Sequence, residues 1–184
     1  MLTMPKVGRV LTLNDGHRVP HRTSGAYADI FIDENAARVY KLFIAEPEGR
    51  LPRSLSTANL NAIRRENFQT QLNAYRIAEA DPFLSAHIPQ FFGTAQATAV
   101  HDSAGADVSN EYLLDACYVV QRLEGRDEKA NPRSDFAPAH IKAFAKRCKT
   151  LGINYVHDSS AFNLEDPERF VVIDFATREI EMPW

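Results

Sequence analysis

YVHDSSAFNLEDPERFVVIDF, at residues 155–175, is the stretch on which the interpretation of the whole chain depends. It contains Asp158, then Asn163 five residues later, and Asp174 directly after the apolar run 170–173. We expect Asp158 and Asn163 to share one loop and Asp174 to lie where a buried strand ends, so that the three side chains converge. Because carboxylate and amide oxygens are ligands that Mg²⁺ accepts, the stretch indicates a site for phosphate and magnesium.

Length and composition are those of one globular domain. The chain has 184 residues, of which 45% are hydrophobic and 24% charged, and no apolar run approaches the roughly 20 residues that cross a bilayer. A net charge of -3 gives no reason to expect nucleic acid as a partner, and the N-terminus lacks the apolar segment of a secretory signal. We expect a monomer that binds neither membranes nor nucleic acid.

Several other kinds of site are excluded by residue spacing. Cys117 and Cys148 lie far apart in apolar surroundings, which is typical of reduced, packed thiols in a reducing compartment. No pair of histidines or cysteines has metal-ligand spacing, and no G-x-S-x-G motif supports a catalytic triad. His157 is adjacent to Asp158, so it is expected to pack or cap rather than to catalyse.

The N-terminal part of the chain predicts antiparallel strands. Residues 7–32 alternate short extended pieces with turns, and Asn-Asp-Gly at residues 14–16 is a strong turn signal. A small-residue turn leads into a strand within residues 23–31, and residues 38–43 form the next strand. Lys41 lies near the middle of that second strand, and the two strands form a hairpin.

A long helix is predicted from residue 57 or 59 to residue 80. On its helical wheel Gln71 lies near the centre of the apolar stripe, whereas Glu66 lies nearly opposite and faces solvent. The stripe consists of Leu60, Ile63, Phe68, Leu72, Tyr75 and Ala78.

After this helix the sequence predicts further strands and a hinge. Asp81-Pro82 stops the helix, and extended segments follow at residues 91–100 and 112–123. The second segment runs into a glycine-ended hinge at residues 121–125. Residues 125–134 are charged and turn-like, so we place the boundary between two lobes there, at about residues 1–124 and 125–184.

A second helix is predicted directly before the 155–175 stretch. Asp135 serves as its N-cap, Pro138 fits its first turn, and Gly152 ends it. Its buried stripe consists of Ile141, Phe144, Ala145, Cys148 and Leu151.

This order of parts resembles the protein-kinase family. A small-residue turn, a strand lysine, a helix, a hinge, a second helix, then Asp158, Asn163 and Asp174-Phe175 follow the family's template over nearly the whole chain. The resemblance implies ATP and Mg²⁺ as cofactors. It implies that Lys41 contacts the α and β phosphates, that Asp158 accepts the substrate hydroxyl proton, and that Asn163 and Asp174 hold magnesium.

The same resemblance implies a fold and further nucleotide contacts. The fold is α+β: a minimal kinase-like domain with a β-rich N-lobe, one main helix and a much reduced helical C-lobe. The implied nucleotide-binding residues are Gly25, Tyr27, Ile30, Val39, Lys41, Gln71, Gln121 and Leu123.

Departures from the template bear on regulation and on the partner of Lys41. Only Gly25 remains of the loop's three glycines, and the usual H-R-D reads Val-His-Asp at residues 156–158, without the arginine that answers activation-loop phosphorylation. Ala176 replaces the last glycine of D-F-G. The family's helix glutamate falls on Gln71, whose amide orients a lysine without forming an ion pair. Glu66 stays open as an alternative if the helix is broken or rotated.

Only residues 177–184 follow Ala176, so the usual activation segment and peptide-binding helices are missing. Either the chain is a piece of a longer protein, or it is a minimal kinase. It resembles the minimal kinases that pathogenic bacteria inject into host cells by type III secretion, namely the HopBF family and OspG. That resemblance implies a serine/threonine kinase made in the bacterial cytoplasm and exported to the host cytosol. The implied substrate or partner is a host heat-shock chaperone for HopBF, or a ubiquitin-charged conjugating enzyme for OspG.

Two other functions stay open. A pseudokinase-like binding module is favoured by Gln71 and by the depleted glycine loop. A small-molecule kinase is favoured by residues 71–76 and 89–93, which resemble antibiotic and choline kinases. Those relatives have a larger C-terminal lobe.

Overall fold

The protein has an α+β fold, seen in a computed structural model, and this confirms the predicted class. The structure describes residues 8–25, 27–45, 57–124, 126–129, 139–154, 160–163 and 170–175. Within these ranges the chain forms a curled antiparallel sheet, a smaller sheet and two α-helices. One compact unit contains Met1–Phe68 and Phe92–Arg122, and the other contains Gln69–Phe91 and Leu123–Trp184. The predicted lobe boundary near residue 124 stays a prediction.

Seven strands form the curled sheet in the order β5-β7-β4-β3-β2-β1-β6. Tight turns connect the first four strands, as the sequence predicts; at the first turn Gly16 has a φ of 82°, a conformation that glycine adopts without strain. The strands are β1 (Val10–Leu13), β2 (Arg18–Ser24), β3 (Ala28–Asp33), β4 (Arg38–Ile44), β5 (Phe91–Thr94), β6 (Ala97–His101) and β7 (Tyr112–Gln121).

The segment at residues 91–100 corrects one prediction, because it forms two strands rather than one. β5 borders β7, whereas β6 pairs with β1 at the other edge. Between them the amide of Ala95 donates to the carbonyl of Cys117 at 3.1 Å, and the carbonyl of Gln96 accepts from the amide of Asn14 at 3.0 Å. Residues 91–101 therefore supply the strands at both edges of the sheet, and the sheet curls to allow this.

The core of the first unit fills the inside of this curl. Alternate residues of its strands face inward, as a half-buried sheet requires. Cys117 lies in this core, and burial raises the pKa of its thiol to about 12. The inward residues with no exposed surface include Leu11, Val19, Phe31, Leu42, Val100 and Cys117.

Helix α1 spans Thr57–Ala80, as predicted. Four residues of the predicted stripe are buried, and the ring of Phe68 packs edge-on against Phe43 with centroids 5.5 Å apart. Ile63 lies on the same stripe but is 41% exposed. Helical periodicity gives the direction of an apolar stripe but not how much of the helix is covered. The four buried residues are Phe68, Leu72, Tyr75 and Ala78.

Asp81 ends helix α1 and organises the chain that follows. Its Oδ1 accepts hydrogen bonds from the amides of Phe83 and Leu84 at 3.1 and 2.9 Å, and a short 3-10 helix begins there. Its Oδ2 accepts two hydrogen bonds from Arg147, at 2.9 and 2.5 Å. This ion pair joins the end of α1 to the second helix.

Helix α2 spans Ala139–Thr150 and agrees with the predicted helix over the described residues. Gly152 has a φ of 72°, and the amide of Ile153 returns to the carbonyl of Cys148 at 2.9 Å, which satisfies the helix end. The Cys148 thiol is buried and free, as predicted, and burial raises its pKa to about 12. The proposed caps Asp135 and Pro138 lie outside the described residues.

A three-stranded sheet belongs to the second unit, in the order β10-β9-β8. Its strands are β8 (Arg126–Lys129), β9 (Ser160–Asn163) and β10 (Phe170–Val172). β10 is buried and confirms the predicted strand before Asp174. β8 corrects the prediction of a turn-like segment at residues 125–134. It is an edge strand, and edge strands commonly carry charged residues.

Candidate functional site

The turn between β2 and β3 is the predicted phosphate loop. The amide of Gly25 donates to the carbonyl of Ala28 at 2.8 Å. A Cβ atom at residue 25 would lie 3.2 Å from that carbonyl oxygen, which is tighter than ordinary packing, so glycine lets this turn close. Tyr27 is 44% exposed. The turn thus combines a tight backbone with an aromatic side chain that faces solvent.

Lys41 lies at the centre of β4 and shares one face of the sheet with two other predicted site residues. It is paired with Ile30 of β3 and with Tyr118 of β7. Directly paired residues project to the same side of a sheet, and Val39, two residues before Lys41, shares that side. Ile30, Val39 and Lys41 are all half-buried. The first unit therefore brings these three side chains together.

Tyr118 is a neighbour of Lys41 that the sequence did not single out. The ammonium nitrogen of Lys41 lies 5.7 Å from the centroid of the Tyr118 ring, within the range of a cation–π interaction. Tyr118 is 1% exposed, and its ring stacks on Phe68 of α1 with centroids 6.4 Å apart. The aromatic contact gives the lysine a fixed surface on one side.

The predicted hinge begins where β7 ends. Gln121 is exposed and is paired with Arg38. The next amide, of Arg122, donates to the carbonyl of Ala37 at 2.8 Å, which holds the end of this strand against the β3–β4 turn. Leu123 begins the second segment of the second unit and is half-buried. The nucleotide contacts proposed for Gln121 and Leu123 stay predictions.

The two candidate partners of Lys41 on helix α1 differ in burial. Gln71 is 4% exposed, whereas Glu66 is exposed, as the helical wheel predicts. The inward-facing position on α1 is therefore occupied by the side-chain amide of Gln71, which forms hydrogen bonds but carries no charge.

Asp174 lies two residues after the end of β10 and is half-buried. The residue before it is tied to helix α1, because the hydroxyl of Tyr75 donates to the carbonyl of Ile173 at 2.9 Å. The Tyr75 ring meets Phe175 edge-on at 5.1 Å between centroids. Tyr75 lies about one helical turn after Gln71. Within the second unit, the contacts of Tyr75 therefore link the helix that carries Gln71 to the segment that carries Asp174.

Asn163 does not lie where the sequence predicts. It ends strand β9 instead of lying in a loop, because it pairs with Phe170 on one side and with Arg126 on the other. The shared metal site of Asn163 and Asp174 stays a prediction.

The remaining groups of the predicted metal site are only partly described. Asp158 lies outside the described residues. Within the described ranges, no group of three or more His, Cys, Asp or Glu side chains is placed to hold a metal ion. Asp174 is the described carboxylate of the predicted set, and Mg²⁺ in proteins commonly uses one or two carboxylates together with substrate phosphates and water.

A buried polar network was missed by sequence analysis. Arg9 donates from Nη1 to the hydroxyl oxygen of Tyr112 at 2.6 Å and forms an ion pair with Glu111 at 2.9 Å. The Tyr112 hydroxyl donates to Asp29 at 2.6 Å, and burial raises the pKa of Tyr112. These residues are distant in sequence and follow no motif, so the only available signal was a charged residue, Asp29, at an inward strand position.

Comparison with protein-family models, curated proteins and solved structures finds no match to this chain. Among the described helices, none has the length and hydropathy of a membrane span.

Proposed function

We propose that this chain is an ATP- and Mg²⁺-dependent protein kinase with a minimal kinase-like fold, which phosphorylates serine or threonine. The proposal is carried by the position of Lys41. It lies half-buried at the centre of β4, on one face with Ile30 and Val39, in the second strand after the tight turn at Gly25. A turn, a strand lysine, a long helix and a strand followed by an aspartate occur here in the order of the protein-kinase template.

The chemistry follows from these groups. The substrate hydroxyl oxygen bonds to the γ-phosphorus, the bond to the bridging oxygen breaks, ADP leaves, and the hydroxyl proton passes to Asp158. Lys41 offsets the charge of the α and β phosphates of ATP. Ile30 and Val39 offer apolar surface to its adenine base. Magnesium, held by Asp174 and the phosphates, supplies further charge neutralisation when bound.

The resemblance to type III effector kinases supports a host protein as the substrate. A heat-shock chaperone and a ubiquitin-charged conjugating enzyme are the two candidates, and the site of action is the host cytosol after export from the bacterium. The two candidates are tested side by side.

The test is transfer of radiolabel from γ-labelled ATP, with Mg²⁺, to each candidate and to a eukaryotic lysate. We expect Lys41→Met to reduce labelling by about 100-fold or more, because a charge that stabilises the transition state is lost. Lys146→Met is the matched control, since Lys146 is an exposed lysine of α2. Equal labelling by wild type and Lys41→Met would contradict the proposal.

A pseudokinase-like module that uses the fold to hold a partner, without phosphoryl transfer, is the second candidate. It is favoured by the buried Gln71, a neutral residue at the inward position of α1. Calorimetry separates the two candidates: wild-type protein that binds no ATP and labels no protein or small molecule supports the module, whereas binding of ATP with transfer of label supports the kinase.

A further inference from the structure

Tyr75 makes a directed contact with the main chain next to Asp174. Its side chain has no exposed surface, and its hydroxyl donates to the carbonyl of Ile173, 98 residues away in sequence, at 2.9 Å. A buried tyrosine hydroxyl needs a hydrogen-bond partner. Here the partner is the carbonyl of the peptide bond whose nitrogen belongs to Asp174, so the hydrogen bond holds that peptide group.

The Tyr75 ring adds contacts on either side of this bond. It stacks on Phe91 with centroids 5.3 Å apart and planes 10° apart, and it meets Phe175 edge-on at 85°. Helix α1 therefore contacts the residue before Asp174 through the hydroxyl and the residue after it through the ring.

The opposite end of β10 is held separately. The ring of His87 stacks on Phe170 with centroids 4.4 Å apart, and its Nδ1 lies 3.1 Å from the Phe170 carbonyl oxygen. The start of the strand is thus fixed without Tyr75. Loss of the Tyr75 hydroxyl should loosen the Asp174 end and leave the Phe170 end in place.

We propose that Tyr75 is a positioning residue for Asp174: its hydroxyl fixes the Ile173–Asp174 peptide and thereby the direction of the Asp174 carboxylate. This role rests on the proposed kinase function, in which Asp174 binds the phosphate-bound cation. Ring stacking tolerates sliding, whereas a hydrogen bond is directional. The hydroxyl, rather than the ring, therefore sets the orientation of this peptide.

Tyr75→Phe tests the role, because it keeps the ring and removes the hydroxyl. Tyr40→Phe is the matched control, since Tyr40 is a buried tyrosine of the first unit's core. The first measurement is amide hydrogen exchange without nucleotide. We expect exchange at residues 174 and 175 to be about five- to tenfold faster in Tyr75→Phe, because this segment opens more often once the hydrogen bond to the Ile173 carbonyl is lost, and exchange at residue 170 to be unchanged.

The second measurement is the Mg²⁺ concentration that gives half-maximal phosphoryl transfer. We expect it to rise about five- to tenfold in Tyr75→Phe, with the KM for the protein substrate unchanged and with Tyr40→Phe at the wild-type value. Unchanged exchange at residues 174 and 175, or an unchanged Mg²⁺ requirement, overturns the role of Tyr75. Absence of any transfer by wild type overturns the kinase proposal and this role with it, whereas activity with unaltered exchange overturns only the role.

Discussion

The hydroxyl of Tyr112 lies 2.6 Å from the carboxylate of Asp29, and this hydrogen bond holds a charged group that has no exposed surface inside the curled sheet. Arg9 donates to the same hydroxyl oxygen, so Tyr112 connects a cation to an anion. His21 also lies near, with Nε2 3.9 Å from the Asp29 oxygen that accepts from Tyr112. Because a buried carboxylate is costly without donors, Tyr112 supports the folded state of the first unit.

Tyr112→Phe should lower the free energy of unfolding by about 2–3 kcal/mol, because Asp29 loses a donor while buried. Urea unfolding at pH 7 measures this change. Tyr27→Phe is the control, since its hydroxyl belongs to an exposed side chain, and a change within about 0.5 kcal/mol is expected there. Equal stability of the two variants would contradict the role of Tyr112.

Asp81 should make the free energy of unfolding depend on pH. The side-chain hydrogen bond from Arg147 lowers the pKa of the Asp81 carboxyl below its ordinary value. A carboxyl with a lower pKa in the folded state stabilises the protein above its unfolded pKa and loses this contribution as the pH falls through the folded pKa.

Asp81→Asn keeps an oxygen acceptor for the following amides and removes the charge. We expect its urea midpoint to lie below that of wild type at pH 7, and the difference to shrink as the pH falls below about 4. Glu79→Gln, at an exposed position of the same helix, is the control. A difference that stays constant from pH 7 to pH 3 would show that the ion pair is not its source.

Gln71 and Glu66 are distinguished by single substitutions. Gln71→Ala should destabilise the protein by about 1–3 kcal/mol and raise the KM for ATP, because a buried amide is lost. Glu66→Ala should change stability by less than about 0.5 kcal/mol, since the side chain is exposed. Thermal unfolding and ATP titrations give both values. A larger rise in KM for Glu66→Ala would identify Glu66 as the partner of Lys41.

Asn163 pairs with Phe170 at the end of β9 instead of lying in the predicted loop. We therefore expect Asp174→Ala to abolish phosphoryl transfer and Asn163→Ala to leave the Mg²⁺ requirement near the wild-type value. Titration of Mg²⁺ at saturating ATP measures both. If the two substitutions raise the requirement equally, the two residues share a metal ion, as the kinase resemblance implies.

Local features of the fold were predictable because they depend on residues close in sequence. The turn at residues 14–16, the strand with Lys41 and the burial of Gln71 against the exposure of Glu66 all follow from turn chemistry and periodicity. The end of α2 at Gly152 follows from the same rules.

Features that depend on distant pairing were not predictable. Strands β8 and β9 are short and lack an alternating apolar pattern, so only the pairing of β9 with β10 and of β8 with β9 makes them strands. The register that puts Asn163 opposite Phe170, and the contacts of Tyr118 with Lys41 and of Tyr75 with Ile173, depend on strand and helix placement that one sequence does not encode locally.

The pairing of β1 with β6 has a consequence for how the chain folds. Val10 pairs with His101, so β1 has no second neighbour until the chain has been made as far as β6. Contacts between distant residues slow folding, and an unpaired strand edge can join another chain. A nascent chain that ends before Ala97 therefore exposes the edge of β1, and folding on the ribosome is expected to finish only after β6 emerges.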